Sequence, residues 1–209
     1  MKIFAGLVLI TLFAAQFALA QTEEPGKNEV MVWGGISPVV RSFDGFTRNW
    51  EGQHGLAAIR YSRRWDTSDW VNIKYTVDAI PAAFLRYPDT VATPTGPGTV
   101  RIDRVKRSRF AFGGSPFGLQ FNFRPRKKIQ PFVGLSLSAL VFNERTPNEL
   151  GTKLNFASEG GAGIEYRLAD KKAITLGYKW YHISNAGRGT VNPGFDAQLF
   201  YLGYTFWGK

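Results

Sequence analysis

The stretch ITLGYKWYHIS, residues 174–184, decides the fold because its side-chain character alternates with a period of two. One face is apolar and aromatic and ends in His182 and Ser184, whereas the other face includes Thr175 and Lys179. Alternation sustained over about ten residues is typical of a β-strand that separates two environments. The question is which environment each face meets.

Two further stretches alternate in the same way, VGLSLSALVF at 133–142 and LNFASEGGAGIEYRL at 154–168. Their second faces hold glycines and serines, together with charged residues that we interpret as an ion network inside a barrel. That network comprises Glu159, Glu165, Arg167 and Lys179. A soluble sandwich also alternates, but long aromatic strands with a small, charged second face favour a barrel that is apolar outside and polar inside. Only a closed barrel satisfies all strand backbone groups in lipid. We therefore predict an all-β, eight-stranded antiparallel transmembrane barrel of the outer membrane.

The eight predicted strands are separated by connections that alternate between short and longer. The strands are expected at 28–37, 54–64, 69–79, 108–123, 129–143, 152–167, 172–185 and 195–207. Residues 38–53 and 80–107 are expected to be long loops. Short turns on the periplasmic side and longer loops outside are the outer-membrane arrangement, and an even strand count places both termini in the periplasm.

The amino terminus predicts export. Residues 1–20 contain Lys2, a long apolar run and the small-residue motif Ala18-Leu19-Ala20 before Gln21. This pattern is typical of a cleaved secretory signal peptide. A membrane anchor is the alternative, but the apolar run is short for a spanning helix. The mature chain, residues 21–209, is expected to form a single barrel domain.

Composition excludes several classes of site. The chain has no cysteine and two histidines, which excludes a disulfide scaffold, a thiolate metal site and a histidine-rich metal site. We expect no metal and no organic cofactor. The net charge of +10 indicates an acidic partner, and export favours an anionic lipid surface over nucleic acid. A soluble periplasmic binding protein would also fit the composition.

A basic run, VRIDRVKRSRF at 100–110, lies in the second of the long connections. It lacks the interleaved aromatic platform on which bases stack, so no nucleic-acid partner is expected. Two interpretations remain equally weighted. The run is a solvated loop that holds an edge of the barrel, or it contacts phosphate groups of an outer-leaflet lipid. The residues that would make this contact are Arg101, Arg104, Lys106 and Arg107.

The end of strand seven carries candidate catalytic residues. His182 and Ser184 share the lipid-facing side, about 7 Å apart at Cα, and polar groups at a lipid boundary favour a functional role. Asp196 lies on the outward face of the next strand. A serine that attacks, a histidine that takes its proton and an aspartate that orients the histidine form a hydrolytic triad. His-x-Ser also occurs by chance, so an inert barrel stays open on spacing alone.

The segment between the last two strands supplies candidate oxyanion donors. These are the backbone N–H groups around Ala186 and Gly187 and the side chains of Asn185 and Asn192. Asn185 is predicted to point inward, so we prefer Asn192 in the loop.

The stretch YHISNAGRGTVNPGFD, residues 181–196, resembles the signature of the outer-membrane lipid A 3-O-deacylases, also described as acyloxyacyl hydrolase-like proteins. The resemblance implies an eight-stranded barrel with His182 as base, Ser184 as nucleophile and Asn185 within the motif. It also implies an oxyanion role for Asn192. Asp196 falls where the best-known members carry glutamate.

The activity implied by this resemblance is hydrolysis of an ester-linked 3-hydroxyacyl chain of lipid A near the extracellular side of the Gram-negative outer membrane. Alternatives are a non-enzymatic small barrel acting in adhesion or membrane integrity, an acyl-transferring barrel and a soluble binder. Whether a homodimer forms stays open. His54 is expected at a loop or rim without a role. Tryptophans are expected in interfacial girdles, among them Trp33, Trp70, Trp180 and Trp207.

Overall fold

The computed structural model describes residues 27–43, 48–169 and 172–207, which form eight antiparallel strands closed into a barrel in chain order. The strands are β1 Asn28–Phe43, β2 Arg48–Thr67, β3 Val71–Gly96, β4 Thr99–Phe123, β5 Ile129–Thr146, β6 Thr152–Ala169, β7 Lys172–Ser184 and β8 Phe195–Trp207. The predicted fold class and strand order are confirmed. The signal peptide expected at 1–20 lies outside the described residues. No helix in the described ranges is long and apolar enough to cross a membrane.

The prediction of two long loops, at 38–53 and 80–107, is wrong, because most of these residues lie in strands. β3 continues to Gly96 and β4 begins at Thr99, so only two residues join them. Gly98 has a φ of 72°, the left-handed conformation that follows proline in a type II turn. The first hairpin also extends, with β1 ending at Phe43 and β2 beginning at Arg48. Near the hairpin tip, residues 93–101 are exposed on both faces, so the ladder continues there without an apolar face that alternation could detect.

The alternation predicted for β5, β6 and β7 is confirmed. Outward side chains are apolar and exposed, as with Leu137 on β5, Ile164 on β6 and Leu176, which is 63% exposed, on β7. Residues of the opposite parity are buried in the barrel. A continuous apolar band of this size would be unfavourable in water, but acyl chains of a bilayer cover it.

Ion pairs occupy part of the barrel interior, beside a cluster of buried apolar side chains. Glu159 accepts hydrogen bonds from Lys179 Nζ at 2.5 Å, from Ser136 Oγ at 2.8 Å and from Ser138 Oγ. Glu165 accepts from Lys74 Nζ at 2.9 Å. The predicted interior positions of Glu159, Glu165 and Lys179 are therefore confirmed.

Further charged residues, which the sequence did not single out, complete the network. Lys74 Nζ also donates to Glu29 at 2.9 Å, and Arg60 makes a two-point contact with Asp78 at 2.7 and 2.8 Å. All four side chains are buried. Buried charges need partners of opposite sign, so these pairs link strands across the interior.

Two aromatic predictions are wrong. Trp33 is 3% exposed and points inward, where its Nε1–H donates to Asp78 at 3.2 Å. His54 is not at a loop or rim: it lies fully buried in β2, and its Nδ1–H donates to the Phe84 carbonyl at 2.8 Å.

The other girdle positions are mixed. Trp70 is exposed in the β2–β3 turn and Trp180 is exposed on the outer wall, as a girdle requires. The side chain of Trp207 lies outside what the structure describes.

Replacement of Lys179 by methionine is expected to destabilise the barrel by about 3–5 kcal/mol, because it leaves the Glu159 carboxylate buried without its cation. Equilibrium urea unfolding in detergent micelles, followed by tryptophan fluorescence, measures this loss. Lys153→Met is the matched control, since Lys153 is exposed on β6 and its replacement should cost less than about 0.5 kcal/mol. Equal stability of the two variants would contradict the interior role of the ion pair.

Candidate active site

The last two strands bring His182 and Asp196 together. The two residues are direct cross-strand partners in the β7–β8 ladder, and His182 Nδ1 lies 2.7 Å from Asp196 Oδ1. Both side chains are partly exposed on the outer wall, 37% and 36% respectively. An ionised carboxylate only accepts hydrogen bonds, so Nδ1 carries the proton and Nε2 is the nitrogen that can accept one.

The imidazole ring is held by two neighbours. The indole of Trp180 stacks on it, with ring centroids 5.8 Å apart and planes 21° apart. Gly194 lies against it at a φ of 69°, and a Cβ at this position would lie 3.0 Å from His182 Cε1. The glycine therefore allows both the backbone turn and the close approach of the ring.

Ser184 projects from the same outward face as His182, and the predicted facing of both residues is confirmed. Among the described residues Ser184 Oγ makes no hydrogen bond with the imidazole. Catalytic hydrogen bonds are commonly long without substrate and tighten in the complex. Three groups of the proposed triad thus lie on one face, with the histidine–aspartate bond formed.

A second serine, Ser158, also lies beside His182, although the sequence did not indicate it as a candidate. Ser158 on β6 is the direct cross-strand partner of His182 and is exposed on the outer wall. Cross-strand neighbours have Cβ atoms about 5 Å apart. The alternation in β6 could have identified Ser158, because Phe156 is predicted to face outward and Ser158 is two residues further along the strand. Any test of Ser184 as nucleophile must therefore include Ser158.

The loop at 185–194 fixes the orientation of the Asn192 amide. The backbone N–H of Asn185 donates to Asn192 Oδ1 at 2.9 Å. Because an N–H cannot accept, the amide oxygen faces the loop and Nδ2 is left to donate elsewhere. The side chain of Asn192 is exposed. This is the orientation that an oxyanion donor requires.

The side chain of Asn185, unlike that of Asn192, points inward, as the sequence predicted. Its side chain is 1% exposed, and Nδ2 donates to the Val191 carbonyl at 2.7 Å. Ala186 and Gly187 follow with φ of 53° and 72°, and the Arg188 N–H closes the turn on the Asn185 carbonyl at 3.1 Å. The Asn185 side chain therefore supports the loop, while the turn beside Ser184 is left with its amides near the outer surface.

The prediction that the basic run at 100–110 lies in a loop is wrong. Residues 100–110 lie in β4, where strand alternation separates them. Arg101 is exposed but paired with Asp103 at 2.7 Å, and Arg107 lies 3.7 Å from Asp89.

Lys106 is exposed on the outward face of the same strand. The side chain of Arg104 lies outside what the structure describes. Within the described ranges no group of three histidine or carboxylate side chains could hold a metal ion.

These features define the class: an integral outer-membrane β-barrel with a histidine–aspartate pair and a serine on its outer wall. The family model described as lipid A 3-O-deacylase (PagL) matches residues 44–205, and the chain belongs to this family. The resemblance seen in the sequence is thereby confirmed. No curated protein sequence matches the chain.

Solved structures agree on the fold. The outer membrane enzyme PagL superimposes with a TM-score of 0.52 at 17% identity, covering 85% of this chain and 98% of that one. Neisserial surface protein A gives a TM-score of 0.50 at 11% identity, covering 89% of this chain and 100% of that one. At these identities the likeness supports the barrel alone.

Replacement of Gly194 by alanine is expected to displace the His182 ring and weaken its bond to Asp196, because the new Cβ would lie 3.0 Å from the ring. Proton NMR of the detergent-solubilised barrel, with labelled histidine, should lose or shift the downfield Nδ1–H resonance. Gly98→Ala is the control: Gly98 has a φ of 72°, but its Cβ would contact nothing within 4 Å. An unchanged resonance in Gly194→Ala would contradict the packing role.

Proposed function

We propose that this protein hydrolyses an ester-linked 3-hydroxyacyl chain of lipid A in the outer leaflet of the outer membrane. The observation that carries the proposal is the 2.7 Å bond between His182 and Asp196 on the lipid-facing wall, with Ser184 on the same face. Membership of the lipid A 3-O-deacylase family supplies the substrate class.

In the first half of the reaction Ser184 Oγ attacks the acyl carbonyl carbon while His182 Nε2 takes its proton. Asp196 holds the Nδ1–H tautomer and stabilises the imidazolium that forms. The ester C–O bond then breaks, and the imidazolium gives its proton to the departing sugar oxygen, which leaves as a hydroxyl. The products are an under-acylated lipid A and an acyl-enzyme on Ser184.

In the second half a water molecule attacks the acyl-enzyme, and its proton passes to His182. Collapse of the tetrahedral intermediate returns the proton to Ser184 and releases the free 3-hydroxy fatty acid. In both halves the negative oxygen needs donors. Asn192 Nδ2 and the backbone N–H groups of Ala186 and Gly187 fill this role, with Asn185 holding the loop that carries them. No metal or organic cofactor takes part.

The position of the site supports action from the bilayer. Tyr178 and Phe200 form an aromatic pair on the outer wall, with centroids 5.4 Å apart, on the membrane side of His182. An acyl chain can lie along this wall while its ester reaches Ser184. The described interior holds a cavity of about 20 Å³ lined by Arg60, Glu159 and other residues. This cavity has room for about one water molecule and is too small for an acyl chain.

The site lies at the extracellular end of the barrel. The β7–β8 loop shares its end with the β3–β4 hairpin, whose strands of 26 and 25 residues are longer than the others and extend beyond the barrel wall, whereas the strands end at turns 68–70 and 124–128 on the opposite side. In outer-membrane barrels the short turns face the periplasm. Export through a signal peptide at residues 1–20 belongs to the same proposal.

The proposed mechanism predicts that Ser184→Ala and His182→Asn each lower the rate of deacylation by at least about 10³-fold, and that Asp196→Asn causes a comparable loss. Each variant should keep its heat-modifiable electrophoretic mobility. Mass spectrometry of lipid A from cells expressing each variant measures the loss of one hydroxyacyl group.

The control for this experiment is Ser158→Ala, which should deacylate as well as the wild type. Activity in Ser184→Ala together with inactivity in Ser158→Ala would move the nucleophile to β6. An unchanged lipid A mass with the intact protein would favour the non-enzymatic barrel, and a gain in mass would favour acyl transfer. Partition into the aqueous phase without detergent would favour a soluble binder.

The basic residues Arg101, Arg104, Lys106 and Arg107 are proposed to contact lipid phosphate, and Lys106 is chosen for the test because its side chain is exposed on the outward face of β4. Lys106→Gln should raise KM for bisphosphorylated lipid A about fivefold, the effect of roughly 1 kcal/mol per surface cation, without changing kcat. Initial rates in mixed micelles measure both constants. Lys153→Gln on β6 is the control and should leave KM unchanged. An equal effect of Lys106→Gln on dephosphorylated lipid A would contradict a phosphate contact.

A further inference from the structure

The turn between β5 and β6, residues 147–151, lies between two parts of the barrel mouth. We call it the Pro147 turn. On one side it contacts the inner face of the extended β3–β4 hairpin, and on the other it contacts the loop at 185–194. The turn therefore links the hairpin to the loop that carries the proposed oxyanion donors.

The hairpin holds the turn through one carbonyl group. Arg109 on β4 is fully buried, and its Nη1 donates to the Pro147 carbonyl at 2.6 Å. The Tyr87 hydroxyl on β3 donates to the same oxygen. The guanidinium also lies 5.2 Å from the Tyr87 ring centroid and 3.6 Å from carboxylates of Asp89 and Glu144. A charge-assisted bond in a buried setting is stronger than a neutral one.

The other side of the turn holds the loop. The Leu150 carbonyl accepts the backbone N–H of Thr190 at 2.8 Å and that of Val191 at 3.4 Å. Packing is close, because a Cβ on Gly189 would lie 2.8 Å from the Leu150 oxygen. Asn192 follows directly in the chain, so its backbone position depends on these two bonds.

Two hydrogen bonds within the turn connect its two ends. Asn148 accepts the Leu150 N–H on its side-chain oxygen at 3.0 Å and the Gly151 N–H on its carbonyl at 2.9 Å. A second contact runs parallel to the turn. The Tyr87 ring lies 4.7 Å from that of Phe195, the residue before Asp196.

We propose that Arg109 and Tyr87 are positioning residues for the hydrolysis. They fix the Pro147 turn, and through it the loop at 185–192, in the geometry in which Asn192 Nδ2 meets the oxyanion. Neither residue touches the substrate. The inference rests on the proposed function, and it explains why a large cation is buried at the mouth rather than exposed to lipid.

Arg109→Gln should lower kcat for lipid A deacylation about 10- to 100-fold, since a misplacement of about 1 Å at a catalytic group has that effect. KM should change less than twofold. Arg109→Lys, which keeps the charge and a donor, should recover part of kcat. Tyr87→Phe removes one donor and no charge, and should lower kcat about fivefold, the equivalent of one hydrogen bond.

The decisive measurement is a double-mutant cycle with Asn192→Ala. That change alone should lower kcat about 10²- to 10³-fold. If Arg109 acts through the loop, Arg109→Gln in the Asn192→Ala background should cause no further loss. Multiplicative losses would overturn the proposal, because they would mean that Arg109 acts by a separate route.

If Arg109→Gln lacks heat-modifiable mobility and is therefore misfolded, the double-mutant cycle with Asn192→Ala is made with Tyr87→Phe instead. Arg126→Gln, an equal change of charge at an exposed residue of the β4–β5 turn, should keep wild-type kcat. Wild-type kcat in both Arg109→Gln and Tyr87→Phe, with Ser184→Ala inactive, would overturn the positioning role alone. Full activity in Ser184→Ala would instead overturn the proposed function.

Discussion

The site depends on the register between β7 and β8. His182 and Asp196 touch because they are direct partners in this ladder. Side-chain facing has a period of two, so a slip of one residue would turn one of them into the lumen. The lipid and the lumen make such a slip costly. A slip of β7 would turn Leu176 into the charged interior and Lys179 towards hydrocarbon, and a slip of β8 would turn Phe200 into the interior.

Ion pairs in the barrel interior also stabilise this strand register. Lys179 and His182 lie on one strand with opposite facing, and Lys179 is held by Glu159 from β6. Glu165, also on β6, reaches Lys74 on β3 across the lumen. Each pair is favourable in a single strand arrangement, because a shifted strand would leave a buried charge without its partner. The ion network thus holds the wall on which the histidine–aspartate pair lies.

The part of the fold that the sequence predicted is the part that the bilayer constrains. Lipid requires one apolar face, and this made the outward positions of His182, Ser184 and Asp196 readable from alternation alone. The hairpin tip, residues 93–101, is exposed on both faces and lies beyond that constraint. The charges and prolines of residues 80–107 were therefore interpreted as a loop, although β3 and β4 pair along this stretch. The Pro97-Gly98 pair was the available signal for a hairpin turn.

Other errors arose where both faces look alike. In β1 the outward Val32 and the inward Trp33 are both apolar, so parity could not assign the tryptophan to the interior. His54 lies in a run of small residues with the same ambiguity. The Arg109 contact with Pro147 was also beyond prediction, because its partners are 38 residues apart and the bond depends on how three hairpins meet at the barrel mouth.

A site on the outer wall changes what selects the substrate. A lumen site would select by the shape of a pocket, but the proposed site has His182 and Asp196 partly exposed on the outer wall. In the proposed reaction the ester reaches Ser184 while its acyl chain stays in hydrocarbon, so substrate selection would act through depth in the membrane. The boundary between the apolar band and the polar end of β7 sets that depth. Fixed placement of the loop at 185–194 then matters more than enclosure, since the proposed site is open on the outer wall and the loop must hold the oxyanion donors in position.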